Sequence, residues 1–188
     1  MINIDLFTND PNIIKVISKK FNIISLFTEK NYLFKRKNQY KFNLISVTNK
    51  KELSNKLRKS QKLAISWGFG IIFDLDNIKK YDHGIWNIHP GDLPGYRGRH
   101  PITAAFLKDE KKIGASIHLI NDKIDMGFLL AKTHVNRNYS DDENSIKEKI
   151  FKKLPKLLSV SLSNYRKKKF KKLFRGKYYK PFFKGVAI

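Results

Sequence analysis

Asn87 and His89 lie two residues apart in the run Ile85-Trp-Asn-Ile-His89, and Asp125 follows 36 residues after the histidine, in Ile124-Asp-Met-Gly127. An imidazole near its natural pKa accepts a proton or polarises a carbonyl at neutral pH, and a carboxamide donates to a developing oxyanion. A carboxylate is the usual third member of such a set, fixing or charging the histidine. The three residue types together suit a reaction in which an oxygen takes on charge while a proton changes hands.

A strand end and a loop are needed to bring them together. Ile85 to His89 reads as a short strand, whose side-chain period of two puts Asn87 and His89 on one face. Pro90, Gly91, Pro94, Gly95 and Gly98 then replace the strand with a rigid, irregular loop, the kind of segment on which a scaffold carries chemistry. Taken alone, Asn-x-His before a proline also fits an ordinary turn, and Asp125 alone fits the turn acid of Asn121-Asp-Lys-Ile-Asp125. The order of the neighbouring motifs separates the two readings.

Further strands are predicted at Ile2 to Phe7, Asn22 to Phe27, Phe42 to Val47, Leu63 to Trp67 and Phe128 to Val135. Asp10-Pro11 opens a helix with an acid cap and proline at the first helical position, Thr48 opens another around Lys50 to Lys59, and His100 starts a third. Ser140-Asp-Asp-Glu143 reads as a capping box for a helix that continues past Lys149 and kinks or restarts near Pro155. Its apolar side, Ile146, Ile150, Leu154, Leu157 and Leu158, should pack on a sheet. Strands alternating with short helices imply an α/β class, a Rossmann-like, doubly wound and mostly parallel sheet. Ligands of such sheets bind beyond the carboxyl ends of the strands, where Gly68-Phe-Gly-Ile-Ile72 and Pro90 to Arg97 fall. With 188 residues and 41% apolar content, the expectation is one domain over residues 1–188, with a C-terminal helical region at 141–170 packed on it.

Asn87-Ile-His-Pro90, Leu93-Pro94, Arg97-Gly98 and Pro101, followed by Gly114 and Ile124-Asp-Met-Gly127, resemble the signature of the formyltetrahydrofolate-dependent formyltransferases. That family includes glycinamide ribonucleotide formyltransferase, the catalytic domain of methionyl-tRNA formyltransferase and the sugar-nucleotide N-formyltransferases. The resemblance runs from about Leu63 to Val135. It implies direct transfer of a formyl group from N10-formyltetrahydrofolate, a co-substrate, to an acceptor amine, with Asn87, His89 and Asp125 as the catalytic set. It also implies that the pterin sits among Gly68, Phe69, Gly70, Ile71, Ile72 and Phe73 on one side and Asn121, Asp122 and Ile124 on the other. The acceptor is then expected beside Pro90, Gly91, Arg97 and His100. The absence of any cysteine and of a G-x-S-x-G elbow fits a mechanism with no protein nucleophile.

Two departures from the family pattern bear on the acceptor. Many relatives have a serine and a leucine where this chain has Gly91 and Asp92, and the glycine-rich turn that commonly follows the first strand is replaced by Phe7-Thr-Asn-Asp-Pro11. That turn would cradle a ribose phosphate through backbone N–H groups, so its loss counts against glycinamide ribonucleotide. Only about fifty residues follow Val135, mostly one helical region, which counts against Met-tRNA, whose enzymes carry an added domain. An aminosugar nucleotide is the leading expectation, Met-tRNA or glycinamide ribonucleotide the next, and a noncatalytic basic binding module the third.

Lys and Arg outnumber Asp and Glu 39 to 16, a net charge of +23 that attracts nucleic acid or anionic substrates. The excess is mostly Lys in an Asn-, Ile- and Phe-rich chain, which an AT-rich coding sequence produces without selection for binding, so composition discriminates poorly. Arg166-Lys-Lys-Lys-Phe-Lys-Lys172 reads as a solvated helix end. No metal is expected, since His83, His100, His118 and His134 have no ligand spacing and read as structural or surface residues, His100 alone being near enough to the loop to meet the acceptor. With no signal-peptide pattern and no spanning run, a cytoplasmic protein with a small-molecule partner and no membrane contact is the default, and a homo-oligomer is compatible with it.

Overall fold

Residues 1–30, 40–58 and 63–179 are described by the computed structural model. They fall into two units, Met1–Ile88 with Leu119–Asp122, and His89–His118 with the chain from Lys123 onward.

The first unit alternates β1 (Ile2–Thr8), α1 (Asn12–Ile17), β2 (Phe21–Thr28), β3 (Asn43–Ser46), α2 (Lys50–Lys56), β4 (Ala64–Trp67), α3 (Leu75–Ile78) and β5 (Ile85–His89), whose last residue belongs to the second unit. Its strands are all parallel, in the order β3-β2-β1-β4-β5. Parallel strands covered on both faces read as continuous apolar runs, and β4 is buried at all four positions. Phe7 on β1 stacks on Phe27 of β2 with ring centroids 4.8 Å apart and meets the edge of Phe73 at the same distance. That aromatic cluster anchors the loop after β4, because Phe69 and Ile71 pack against the same core.

Asp5 is the exception in this core, only 4% exposed on β1, with Tyr81 donating its hydroxyl to the carboxylate at 2.9 Å. Burial pushes its pKa up from 3.8 to about 6, against the lowering effect of the Tyr81 and Ser25 hydrogen bonds. The ionised form is therefore the costly one: stability falls as pH rises from about 4 to 6 and stays reduced above, by up to about 3 kcal/mol. Asp5→Asn is expected to stabilise the protein at pH 8 and to have little effect at pH 4, measured by urea unfolding. Equal effects at the two pH values would remove ionisation as the cause.

The second unit contains β6 (Arg97–Gly98), α4 (Pro101–Leu107), β7 (Lys112–Leu119, whose last residue belongs to the first unit), β8 (Phe128–Asn136), α5 (Glu143–Arg166), β9 (Lys171–Lys172) and β10 (Tyr178–Tyr179). β8 pairs antiparallel with both β7 and β9, and β6 with β10 forms a separate parallel pair. Ile146, Ile150, Leu154, Leu157 and Leu158 are all buried, and α5 lies along β8, where Asn164 Nδ2 donates to the Leu130 carbonyl at 2.7 Å. The expected apolar stripe is thus the packed face.

Several local expectations are corrected. α5 is capped by Asp142 reciprocally with Ser145, two residues on from the predicted Ser140–Glu143 box, and it runs through Pro155 as one helix. It ends at Arg166, short of residue 170, because Lys168 adopts φ 54° and the Lys169 N–H closes onto the Asn164 carbonyl at 2.8 Å. This is the Schellman ending, here without its usual glycine. α2 is capped by Asn49 instead of Thr48, whose N–H is held by Glu52, and it ends at Lys56; Lys59 lies outside the described residues. The first residue of α1 is Asn12, with its N–H held by Asp10 at 2.9 Å, so the acid caps as expected but one residue earlier than the N-cap position, which Pro11 occupies. α3 and β7 are not among the elements predicted from sequence.

Candidate active site

In the second unit, the end of β5, the loop after it and the Lys123–Gly127 turn bring His89, Asp125 and His118 together. His89 is 4% exposed and donates from Nε2 to the Tyr96 carbonyl at 2.6 Å. A carbonyl oxygen can only accept, so Nε2 carries the hydrogen and Nδ1 is left facing Asp125 Oδ1 at 3.7 Å. That separation is an electrostatic contact, too long for a direct hydrogen bond. The Asp125 carboxylate accepts the Gly98 N–H at 2.8 Å and stands 3.3 Å from His118 Nε2.

Charge in this cluster follows from burial and partners. Burial lowers the pKa of His89, against the raising effects of the Asp125 carboxylate and the Tyr96 carbonyl, so its resting form is the neutral imidazole. Burial alone would raise Asp125, but the hydrogen bond from His118, the two neighbouring imidazoles and the Gly98 N–H outweigh it and hold the carboxyl at about 2. A neutral base beside a fixed anion can take a proton and have the resulting charge compensated.

The loop is shaped around the histidine. A Cβ on Gly91 would come within 2.7 Å of both His89 Nε2 and the Tyr96 carbonyl, so only glycine leaves the ring where it is. Three alternate residues of β7 hold the rest. A Cβ on Gly114 would lie 2.5 Å from Asp92, the Ser116 hydroxyl bridges the Gly91 carbonyl (2.8 Å) and the Leu93 N–H (3.1 Å), and His118 meets Asp125. Sequence reasoning placed His118 among structural or surface histidines; the structure buries it and sets it on the same carboxylate as His89. Alternation along Lys112–Leu119 is the signal that could have found it. Of the other histidines, His134 pairs with Asp92 at 3.2 Å, His83 is exposed, and His100 is exposed at the start of α4 without a side-chain cap. Among the described residues no group of three or more metal-binding side chains is close enough to hold an ion.

Pro90, half-buried, and Gly91, buried, border His89, whereas the Arg97 guanidinium turns onto the chain's own Ile124 carbonyl, from Nε at 3.0 Å and Nη2 at 2.7 Å. Beside Gly91 a cavity of about 370 Å³ opens among Tyr96, Pro101, Glu110, Lys112 and His134. Asp92 lies at its edge, held by Lys132 at 2.6 Å.

The first unit holds Asn87 and most of the expected donor-site residues. Asn87 is half-buried and in register with Ser66 on β4. After β4, Gly68 takes φ 57°, a conformation that favours glycine, with nothing within 4 Å of a Cβ built there. Inward and outward residues then alternate: Phe69, Ile71 and Phe73 pack on the core, while Gly70 and Ile72 are exposed. The Gly70 N–H donates to the Glu29 carboxylate at 2.6 Å, which also accepts from Asn9 at 2.7 Å. Asn121 is half-buried and Asp122 exposed in the same unit; Ile124 belongs to the other. The turn after β1 is closed by its own side chains, Thr8 accepting the Asp10 N–H at 3.0 Å and Asp10 also accepting from Trp67 Nε1 at 3.2 Å.

Comparison with known proteins bears on both units. Methionyl-tRNA formyltransferase of Bacillus subtilis is 28% identical over 113 residues, 60% of this chain and 36% of that protein; the chain spans about a third of the length of the curated relatives it matches. Among solved structures, phosphoribosylglycinamide formyltransferase from Bacillus halodurans shares the fold at TM-score 0.72 and 20% identity, covering 85% of this chain and 93% of that one. A 4-N formyltransferase from Francisella tularensis does so at TM-score 0.73 and 20% identity, covering 99% and 83%. A family model described as formyl transferase matches residues 7–162, most of the chain and both of its units, and the chain belongs to that family.

Proposed function

We propose that this protein transfers the formyl group of N10-formyltetrahydrofolate to the amine of an aminosugar carried on a nucleotide. The free amine attacks the formyl carbon, and the carbonyl oxygen becomes an oxyanion stabilised by the Asn87 carboxamide. The amine's proton passes to neutral His89 at Nδ1, where Asp125 compensates the imidazolium. Collapse then breaks the bond to N10 of the folate, which takes that proton from His89 as it leaves and returns the imidazole to its neutral form. The pterin is read by main-chain groups of Gly68 to Phe73 and of Asn121 and Asp122, on the loop that the aromatic core and Glu29 hold in shape.

The observation that carries the choice of acceptor is the lining of the cavity beside Gly91. Asp92, Glu110, Lys112 and His134 offer both donors and acceptors there. Sugar hydroxyls add hydrogen bonds to such groups, whereas the thioether side chain of a methionyl ester would desolvate them and offer none in return. The turn after β1 adds support against glycinamide ribonucleotide. Its Asp10 and Asn12 N–H groups are taken by Thr8 and Asp10, and the carboxylates of Asp10 and Glu29 stand where a phosphate would need donors. The basic surface of the chain suits the diphosphate of the nucleotide carrier.

The test is a formyl-transfer assay of the purified protein with aminosugar nucleotides, glycinamide ribonucleotide and Met-tRNA as acceptors. Turnover with an aminosugar nucleotide alone is expected, and turnover confined to either other acceptor would replace this reading. Folate binding by calorimetry checks the donor loop in the same preparation. Gly68→Val puts a β-branched residue at positive φ and should weaken binding about tenfold or more. An unchanged Kd would remove that loop from the donor site. A basic binding module would instead bind nucleic acid with steep salt dependence and show no response to folate.

A further inference from the structure

After α5 the chain returns to the loop that holds the active-site carboxylate. The Leu173 N–H reaches the Gly127 carbonyl at 3.2 Å, and β10 runs beside β6 with Tyr178 opposite Arg97 and Tyr179 opposite Gly98. The Arg97 N–H donates to the Lys177 carbonyl at 3.1 Å. Two glycines permit this approach: a Cβ on Gly98, at φ 106°, would overlap the Tyr179 carbonyl oxygen, and one on Gly176 would overlap that of Pro94.

Arg97 stands where these segments meet. Its Nε and Nη2 converge on the Ile124 carbonyl, Nη1 reaches the Gly176 carbonyl at 3.4 Å, and the guanidinium lies 5.8 Å from the centre of the Tyr178 ring. Ile124 precedes Asp125, which sits at φ 53°, a left-handed conformation that an aspartate holds only when its surroundings fix it. The planar fork fixes the peptide on one side of Asp125, and the Gly98 N–H fixes its carboxylate on the other.

We propose that Arg97, braced by the segment Leu173–Tyr179, is a positioning residue that sets the Asp125 carboxylate against His89, and not a contact to the acceptor. The kinetic part of its test rests on the formyl-transfer reading; the spectroscopic part does not. Among the described residues, Asp125 on its turn, His118 on β7 and the Tyr96 carbonyl face His89. Moving Asp125 away removes the one negative charge among them, so the His89 titration should move to lower pH.

The experiment compares wild type, Arg97→Lys and Gly176→Val. Lysine keeps the charge without the fork, and valine pushes the returning segment off Pro94 at a distance from the chemistry. Histidine titrations are followed by ¹H–¹⁵N spectra in the ligand-free protein, with Asp125→Asn as the reference for direction. Both variants should shift His89 downward as Asp125→Asn does, and should lower kcat about tenfold or more with acceptor KM within about threefold, the scale of a small misplacement of a catalytic group. If Arg97 instead binds the acceptor, its KM rises about tenfold or more, the His89 titration stays in place and Gly176→Val is silent. An unmoved His89 titration in Arg97→Lys overturns the proposal by itself, should Gly176→Val fail to fold. A wild type that formylates no acceptor would fail the functional reading while leaving the titration result to stand.

Discussion

His89→Ala is expected to lower kcat by about a hundredfold or more, the usual scale for losing a general base, with folate affinity largely kept. The ring is buried with one nitrogen committed to the Tyr96 carbonyl, so alanine also releases the loop, and a loss of rate alone would not separate chemistry from shape. His89→Gln makes the separation. Its amide can still donate to Tyr96 and fill most of the space, but it cannot take up a proton. The same fall is expected for glutamine, and for Asn87→Ala through loss of an oxyanion donor. Wild-type turnover within a few-fold in His89→Gln would reduce the histidine to a structural contact.

Different parts of this arrangement were legible in the sequence to different degrees. The strands of the first unit were, because a parallel strand buried on both faces reads as a largely apolar run, as Ala64–Trp67 does with Ser66 as its one polar residue. Asn87, His89 and the loop after them were legible because proline and glycine punctuate the chain immediately after a strand. Helix ends were less so. Ser140 to Ser145 contains two overlapping capping patterns, and only the backbone decides that Asp142 is the cap. Lys168 ends α5 in a conformation usually marked by glycine, so nothing in the lysine run announces the stop.

Within the site, the spacing of His118 and Asp125 carries no local sign that they meet. Their meeting depends on β7, where Gly114, Ser116 and His118 point at Asp92, the loop and Asp125 in turn. Nor does the sequence show that Asp125 takes positive φ, since an aspartate in a turn is usually right-handed. The surroundings of Arg97 were hidden for a related reason. An exposed-looking arginine in a reactive loop suggests a ligand contact, and only the fold reveals the two chain carbonyls that claim its guanidinium.

Asp125→Asn is expected to keep the fold and folate affinity while lowering turnover by about a hundredfold. Asparagine tolerates positive φ better than other non-glycine residues, and its carbonyl oxygen can still accept the Gly98 N–H, so the turn survives. What disappears is the anion facing His89 and His118. That carboxylate raises the proton affinity of His89 against burial, so without it the acidic limb of the kcat profile should move to lower pH. Stability gives an independent check. A carboxyl held at about 2, below its value of 3.8 in the unfolded chain, contributes about 2 kcal/mol that is present above pH 4 and is lost as pH falls through 2. The wild type should therefore lose its advantage over Asp125→Asn in acid, as read by urea unfolding at pH 7 and pH 2. If asparagine left turnover, pH profile and acid stability unchanged, Asp125 would only shape the turn before Gly127, and His89 would have to receive the amine's proton with no anion to compensate it.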